Sequence, residues 1–267
     1  MDLLERTDFP VILDNCALDP ELAFENSDKS EFNFGGERGF FVGAQFSNDE
    51  IISIRSEIKS HLVGRAFTIS RDYANLIDAN ELSHYHSYCD PELHPKMFSK
   101  MGRILPDESV KKISKFSVFD YLSDCFGDFE LSDEEGLGYQ QISFRIVRPN
   151  NRADVGDPHR DVWFWESLRI PNIENKKRAK LWFMIDGDPS VSGLILAPGS
   201  HRIDIPYALN NVGGRNRFDS DIAQQVPYQR FAGPIGQTVM FNYGCLHAGT
   251  VNYGDQCRIS CEMTIMF

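Results

Sequence analysis

The sequence predicts a mainly β protein in which α-helices come first and an antiparallel β sandwich follows. Three observations carry this. From about residue 136, short apolar or alternating runs recur at 139–148, 159–166, 179–186, 192–197, 236–243 and 256–267, separated by Gly, Pro, Asn and Asp. Two earlier stretches instead carry apolar residues at helical spacing. The chain has 267 residues, 42% of them hydrophobic and 20 of them Phe, enough for one sizeable core. A β sandwich or barrel of roughly 200–250 residues is an ordinary single domain. One domain over 1–267 is therefore expected: an N-terminal arm (1–37), mainly helical support (38–135) and a β core (136–267) with an insert at about 201–232.

Residues 1–37 are polar and acidic, with Pro10, Pro20 and Gly35-Gly36, and read as an irregular arm wrapping the domain. Gly39-Phe40-Phe41-Val42 is a short strand. Ser47-Asn48-Asp49-Glu50 forms a capping box, in which Ser47 bonds an early backbone N–H and Glu50 reaches back to the cap. Ile51, Ile54, Ile58 and Leu62 then follow on one helical face. The stretch 64–106 shows no clear period. His84 and His86 in it flank Tyr85 as candidates for a substrate entrance, and these two and His94 have no ligand-like spacing. Asp107 caps a second helix, marked by Val110, Ile113, Ser117, Val118, Tyr121, Leu122 and Cys125, and Gly127 ends it. The insert is rich in Asn, Asp, Arg and Gly, with Asn210-Asn211 and Gly213-Gly214. It reads as a mobile lid.

A formal net charge of −12 offers no excess of Lys and Arg for a phosphate backbone, so nucleic acid is excluded as a partner. No apolar stretch is long enough to span a bilayer. The opening Met1-Asp2-Leu3-Leu4-Glu5-Arg6 has no secretory pattern. Cys16, Cys89, Cys125, Cys245, Cys257 and Cys261 contain no CxxC pair and read as reduced, buried thiols of a cytoplasmic protein.

The chemistry concentrates in Asp157-Pro158-His159-Arg160-Asp161-Val162-Trp163-Phe164. Residues i and i+2 of a strand share a face, so His159 and Asp161 aim an imidazole and a carboxylate the same way. His247, in Phe241-Asn242-Tyr243-Gly244-Cys245-Leu246-His247-Ala248-Gly249-Thr250, supplies a second imidazole. Two His and one carboxylate form a facial triad, leaving three positions of an octahedral metal open, which suits non-haem Fe(II). Eleven residues later comes Arg258. The interval allows a turn at Asn252-Tyr253-Gly254-Asp255 and a neighbouring strand returning beside the first. A guanidinium near the metal calls for an anion, and its fork matches a carboxylate bidentately. Ser260 shares the Arg258 face and adds a hydroxyl. Zinc fits the same three ligands, but a hydrolytic site leaves Arg258 without a role. A metal-free jelly-roll binding module and a cupin-like oxygenase that needs no keto acid are the other classes.

The ordered set HxD…H…R resembles the phytanoyl-CoA dioxygenase-like branch of the Fe(II)/2-oxoglutarate oxygenases. The resemblance extends to Leu181-Trp182-Phe183-Met184-Ile185-Asp186, to Ser192-Gly193-Leu194-Ile195-Leu196-Ala197-Pro198-Gly199-Ser200-His201, and to the strand and capped helix that begin at Gly39. It implies a distorted double-stranded β-helix, a cupin-like jelly roll braced by helices. It implies iron ligands His159, Asp161 and His247, with Arg258 on the distal carboxylate of 2-oxoglutarate and Trp182 near that co-substrate. The implied reaction uses Fe(II), 2-oxoglutarate and O2 to hydroxylate an unactivated C–H and releases succinate and CO2. Desaturation or oxidative cyclisation starts from the same centre. Arg202, Arg215, Arg217 and Arg230 point to a small anionic or zwitterionic substrate. His201 is expected to be structural.

Overall fold

Alternation along the strands builds the sandwich. In a computed structural model of the protein, residues 3–12, 34–167, 177–212 and 215–267 are described, by backbone alone at 211–212 and 215–217. The strands are β1 (Val11–Ile12), β2 (Phe40–Gln45), β3 (Glu130–Leu131), β4 (Ser143–Val147), β5 (Arg178–Asp186), β6 (Leu194–Leu196), β7 (Ala208–Val212), β8 (Arg215–Asp219), β9 (Gln229–Phe231), β10 (Gln237–Asn242), β11 (His247–Gly249) and β12 (Arg258–Met266). The larger sheet runs β2-β10-β5-β12-β3, with β4 also paired to β12. The smaller runs β1-β9-β6-β11, and β7 and β8 form a hairpin. Two sheets with helices banked on one of them make a mainly β jelly roll with flanking helices.

Residues directly opposite in an antiparallel pair share a face. Cys261, Met263 and Ile265 lie opposite Phe183, Leu181 and Ala179. These residues, with Phe144, Ile146 and Met240, belong to one core that meets the helices. The alternate set Trp182, Met184, Val239, Phe241 and Phe40 faces the smaller sheet and packs with Leu194, Leu196 and Phe231.

The helix Asn48–Phe67 buries Ile51, Ile54, Ile58, Leu62 and Ala66, and the Ser47–Glu50 capping box forms. Arg55 of this helix pairs with Asp186 at 3.2 Å, fixing it to the end of β5. The second expected helix is two, Asp107–Ile113 and Ser117–Phe126, the latter ended by Gly127 at φ 77°. The break has a cause in Glu50. Its carboxylate accepts from the Ser47 N–H at 2.8 Å, from the Ser117 N–H at 2.7 Å and from the Ser117 hydroxyl at 3.0 Å. One side chain thus serves two helix starts. Glu50→Ala is expected to lower unfolding stability by about 1–2 kcal/mol, the upper part of the range for a lost cap. Denaturant melts check this, and a change within experimental error would show that neither contact matters.

Three expectations are corrected. The arm is not wholly irregular: Val11–Ile12 pairs in parallel with β9, and Leu3, Leu4 and Phe9 are buried. Residues 13–33, including Cys16, lie outside the described residues. The run 159–166 is not a strand. It makes one bridge at His159 and then turns into the helix Asp161–Ser167. Trp163 and Trp165 both lie on this helix. Trp163 stacks on Tyr207 at 4.8 Å, while Trp165 meets Tyr243 at 5.2 Å and the Arg178 guanidinium at 4.6 Å. Finally, the insert, expected as a lid and not a structural element, has structure of its own. It holds the β7–β8 hairpin, a short helix Asp221–Gln225, and β9, which is a member of the smaller sheet. Ile205, Phe218, Ala223 and Tyr228 from it are buried with Trp163.

Candidate metal centre

The smaller sheet and the segment beside it bring two imidazoles together. His159 and His247 form an antiparallel bridge, each N–H donating to the other's carbonyl at 3.0 Å. Their rings lie 4.5 Å apart. The helix beginning at Asp161 turns that carboxylate back towards them, and Asp161 Oδ2 lies 3.8 Å from His247 Nε2. One ligand atom from each of His159, Asp161 and His247 falls within 4.8 Å of the others. So the three residues converge, but by a bridge and a helical turn and not by strand alternation.

Both histidines are set in the same way. His159 Nδ1 lies 2.8 Å from the Asp157 carbonyl, and His247 Nδ1 lies 3.0 Å from the Cys245 carbonyl. A carbonyl only accepts, so each Nδ1 carries the proton and each Nε2 is left with its lone pair. Burial, reinforced at His159 by the neighbouring His247, pushes both imidazoles down to about 4. Burial lifts Asp161 to about 6 against the pull of Lys180 and His159. Asp161 Oδ2 is buried without a hydrogen-bond partner. Two neutral imidazoles and an unpartnered carboxylate oxygen are the donors a divalent cation takes.

The imidazoles are neutral above about 4, and Asp161 releases a proton on metal binding below about 6. Metal affinity is expected to be flat above pH 7 and to fall roughly tenfold per pH unit below about 6, one proton being displaced. In the metal-free protein the two histidines bind protons more readily when unfolded, so their contribution to stability is lost as pH falls from 6.5 towards 4. Asp161 acts oppositely, since its folded form holds the proton more tightly. Co(II) titrations between pH 5 and 8 test the first statement, and a steady decline from 8 to 7 would contradict it.

Arg258 is 1% exposed. The expected hairpin between it and His247 does not form: β11 belongs to the smaller sheet and β12 to the larger. Its guanidinium instead reaches across the sandwich. Nη1 donates to the Ser192 hydroxyl at 2.8 Å and to the carbonyls of Gly193 at 2.8 Å and Thr250 at 3.0 Å. A Cβ at Gly249 would lie 2.7 Å from Nη2, so glycine there makes room for the head group. Gly249 is two residues from His247 on β11, on the same face, which puts the guanidinium and the imidazole in one interior. Nε is buried without a partner, and no carboxylate among the described residues pairs with this arginine. Burial, with Arg145 nearby, pushes it down to about 9.

Ser260 and Trp182 lie on the same inner face, Ser260 two residues beyond Arg258 and Trp182 opposite Glu262. Trp182 packs against Phe231 in the apolar part of the interior. The other expected residues are elsewhere. His94 bonds Tyr85 at 3.1 Å and stacks on Phe98, and His86 meets Cys257 Sγ, just before β12, at 3.4 Å. His201 is structural, its Nε2 3.1 Å from the Gly36 carbonyl. Arg148 is taken by Asp154 at 2.7 and 2.8 Å. Arg202 is exposed and Arg230 buried on β9, while the side chains of Arg215 and Arg217 lie outside the described residues. Cys89, Cys125, Cys245, Cys257 and Cys261 are free thiols.

A charged cluster beside the triad is not apparent along the chain. Lys180 on β5 is 7% exposed, with Nζ 3.8 Å from Asp161 Oδ1 and 3.7 Å from Glu134 Oε2. Burial works against its charge, but Asp161, Glu134 and Glu262 outweigh it and hold the ammonium above its ordinary range. Glu262 is opposed by burial and is still pulled down to about 2, by Lys180, Arg145, Arg103 and His247. The available signal was a lone charge within each apolar run, Ala179-Lys180-Leu181 and Cys261-Glu262-Met263.

No family model matches this chain, and no curated protein is similar to it in sequence. Solved structures do share its fold. EvdO2 from Micromonospora carbonacea var. aurantiaca, complexed with 2-oxoglutarate, is 14% identical over 86% of each chain, with a TM-score of 0.55. EctD from S. alaskensis, with 2-oxoglutarate and 5-hydroxyectoine, is 13% identical over 97% of this chain and 86% of that one, with a TM-score of 0.54. The non-heme monooxygenase ThoJ is 13% identical over 86% and 74%, with a TM-score of 0.51. Among the described residues, no helix is long and apolar enough to cross a membrane.

Proposed function

We propose that this chain is an Fe(II)- and 2-oxoglutarate-dependent oxygenase, akin to the phytanoyl-CoA dioxygenase-like branch, that hydroxylates a small zwitterionic molecule. One domain over 1–267 carries it, with His159, Asp161 and His247 holding iron. The single observation that carries the reading is Arg258, a buried guanidinium with an unpartnered Nε and no carboxylate of its own, in the interior that His159, Asp161 and His247 share. A triad alone suits several metals and reactions. A triad with a buried, unpaired arginine calls for an anion that reaches from one to the other, and a five-carbon dicarboxylate meets both. The fold shared with EvdO2, crystallised with 2-oxoglutarate, and with a non-heme monooxygenase supports it.

When bound, iron, 2-oxoglutarate and O2 supply the oxidising power, and the acid leaves as succinate and CO2. The chain's part is to bind and orient. The carbonyls of Asp157 and Cys245 hold the two Nε2 atoms towards the centre, and Asp161 gives its negative charge. Arg258 takes the distal carboxylate of the keto acid, with Ser260 and Trp182 beside it. The apolar side of the interior, with Phe40, Met184, Phe231 and Phe241, keeps water from that half of the site.

The substrate class follows from the rest of the inner face. Ser143, Arg145 and Glu262 are half-buried, while the alternate residues Phe144, Ile146, Cys261 and Met263 are fully buried. The accessible wall thus carries both signs of charge within one strand pair, Arg145 opposite Ser260 and Glu262 opposite Ser143. A ligand with one cationic and one anionic group matches it better than an acyl chain. The test is succinate release with Fe(II) and 2-oxoglutarate across amino acids, cyclic zwitterions, simple acids and long-chain acyl compounds. Stimulation by zwitterions is expected. A response confined to acyl compounds would overturn the substrate class, and no 2-oxoglutarate turnover with any compound would overturn the oxygenase reading.

A further inference from the structure

We propose that Lys180 is a positioning residue that makes Asp161 a one-oxygen ligand and so keeps open the coordination position that O2 needs once 2-oxoglutarate is bound. This rests on the oxygenase reading above. A carboxylate binds a metal through one oxygen or through both. With two histidines, a chelating Asp161 would fill four positions of an octahedral ion in place of three, leaving two for a bidentate keto acid and none for O2.

The geometry divides the two oxygens. Asp161 Oδ2 lies 3.8 Å from His247 Nε2 and has no hydrogen-bond partner. Asp161 Oδ1 lies 3.8 Å from Lys180 Nζ, on the other side of the carboxylate. Lys180 itself is fixed. Its backbone sits in β5, between β10 and β12, at the register Lys180 opposite Phe241 and opposite Thr264. Its ammonium is 3.7 Å from Glu134, and Glu134 is in turn held by the Thr264 hydroxyl. The order Thr264, Glu134, Lys180, Asp161 thus runs from a central strand to the metal-facing carboxylate. A lysine in such surroundings is an expensive choice: a buried cation needs paired charges, and a cation beside a metal site repels the metal. A purely structural role is met more simply by an apolar residue. Holding one carboxylate oxygen away from the metal is a role that requires a donor at this place.

The experiment uses wild type, Lys180→Met and Lys180→Gln, loaded anaerobically with Fe(II) and 2-oxoglutarate. Gln is neutral but offers a donor to Oδ1. Three quantities are read: Fe(II) bound per chain, the visible charge-transfer band of the chelated keto acid, and the rate at which that band decays when O2 is admitted. Lys180→Met is expected to retain iron, to shift the band and to show at least tenfold slower decay. Lys180→Gln is expected to behave like wild type in all three. An unchanged band and decay rate in Lys180→Met would overturn the proposal. Loss of iron itself in Lys180→Met would also overturn it, because Lys180 would then be holding the site together and not selecting the ligand mode. If wild type binds no iron, or shows no band with 2-oxoglutarate, the oxygenase reading fails first, and the two failures are told apart by the wild-type arm alone. A lower melting temperature of metal-free Lys180→Met, with the band and its decay unchanged, would mark a structural role and sink the proposal.

Discussion

Asp161→Ala is expected to abolish iron binding and with it all 2-oxoglutarate turnover. Asp161 is the one anionic member of the triad, buried, with Oδ2 unpartnered and facing His247 Nε2 at 3.8 Å. Removing it leaves two neutral imidazoles, which do not offset the charge of a divalent ion in an interior that also holds Lys180. Loss of partners outside the ligand set commonly costs 10–100-fold in metal affinity, so loss of the anionic ligand is expected to exceed roughly 100-fold. The metal-free variant has an opposite property. Lys180 loses one of its acidic neighbours, but the cost of a buried carboxylate lifted to about 6 also disappears. Its melting temperature is therefore expected to stay close to that of the metal-free wild type. Anaerobic Fe(II) titration with a thermal melt of each metal-free protein measures both. Wild-type iron affinity in Asp161→Ala would remove the triad from the account.

Arg258→Lys is expected to act on 2-oxoglutarate and to spare iron. Lysine keeps the charge but loses the planar fork and the Nε donor that is now unpartnered. The affinity for 2-oxoglutarate is expected to fall by about 1.5–3 kcal/mol, the worth of a hydrogen bond to a charged group. The loss shows in thermal melts as well. A ligand at 100 times its dissociation constant stabilises the native state by about 2.7 kcal/mol, and the variant loses most of that shift at the same concentration. Iron stoichiometry stays at the wild-type level. A variant with unchanged 2-oxoglutarate affinity would mean that another residue anchors the acid.

Much of this was legible along the chain, because the signals are local. Strands β4, β5, β6, β10 and β12 are short alternating or apolar runs bounded by turn residues. The Ser47–Glu50 box and Gly127 mark helix ends by their own chemistry. His159, Asp161, His247 and Arg258 stand out by order and spacing. What was not legible depends on partners far away in sequence. The Trp163-Phe164-Trp165 run has strand-like residues, yet helix Asp161–Ser167 forms because Trp163 and Phe164 find Tyr207 and Phe218 to pack on. β1 and β9 are two and three residues long; β1 gains its identity from pairing with β9, and β9 from lying between β1 and β6. Arg258 meets the small sheet across the sandwich and not along a hairpin. Lys180, Glu134 and Glu262 look like isolated charges until the strand register sets them round Asp161.

One ion and one keto acid are expected to bridge the space between His159, Asp161, His247 and Arg258. Diffraction at the iron absorption edge, from crystals grown anaerobically with Fe(II) and 2-oxoglutarate, tests it most directly. One anomalous peak is expected within bonding distance of both histidine Nε2 atoms and of Asp161 Oδ2. Density for the keto acid is expected to run from that peak to the Arg258 guanidinium. A peak on other residues, or a keto acid whose distal carboxylate lies away from Arg258, would contradict it.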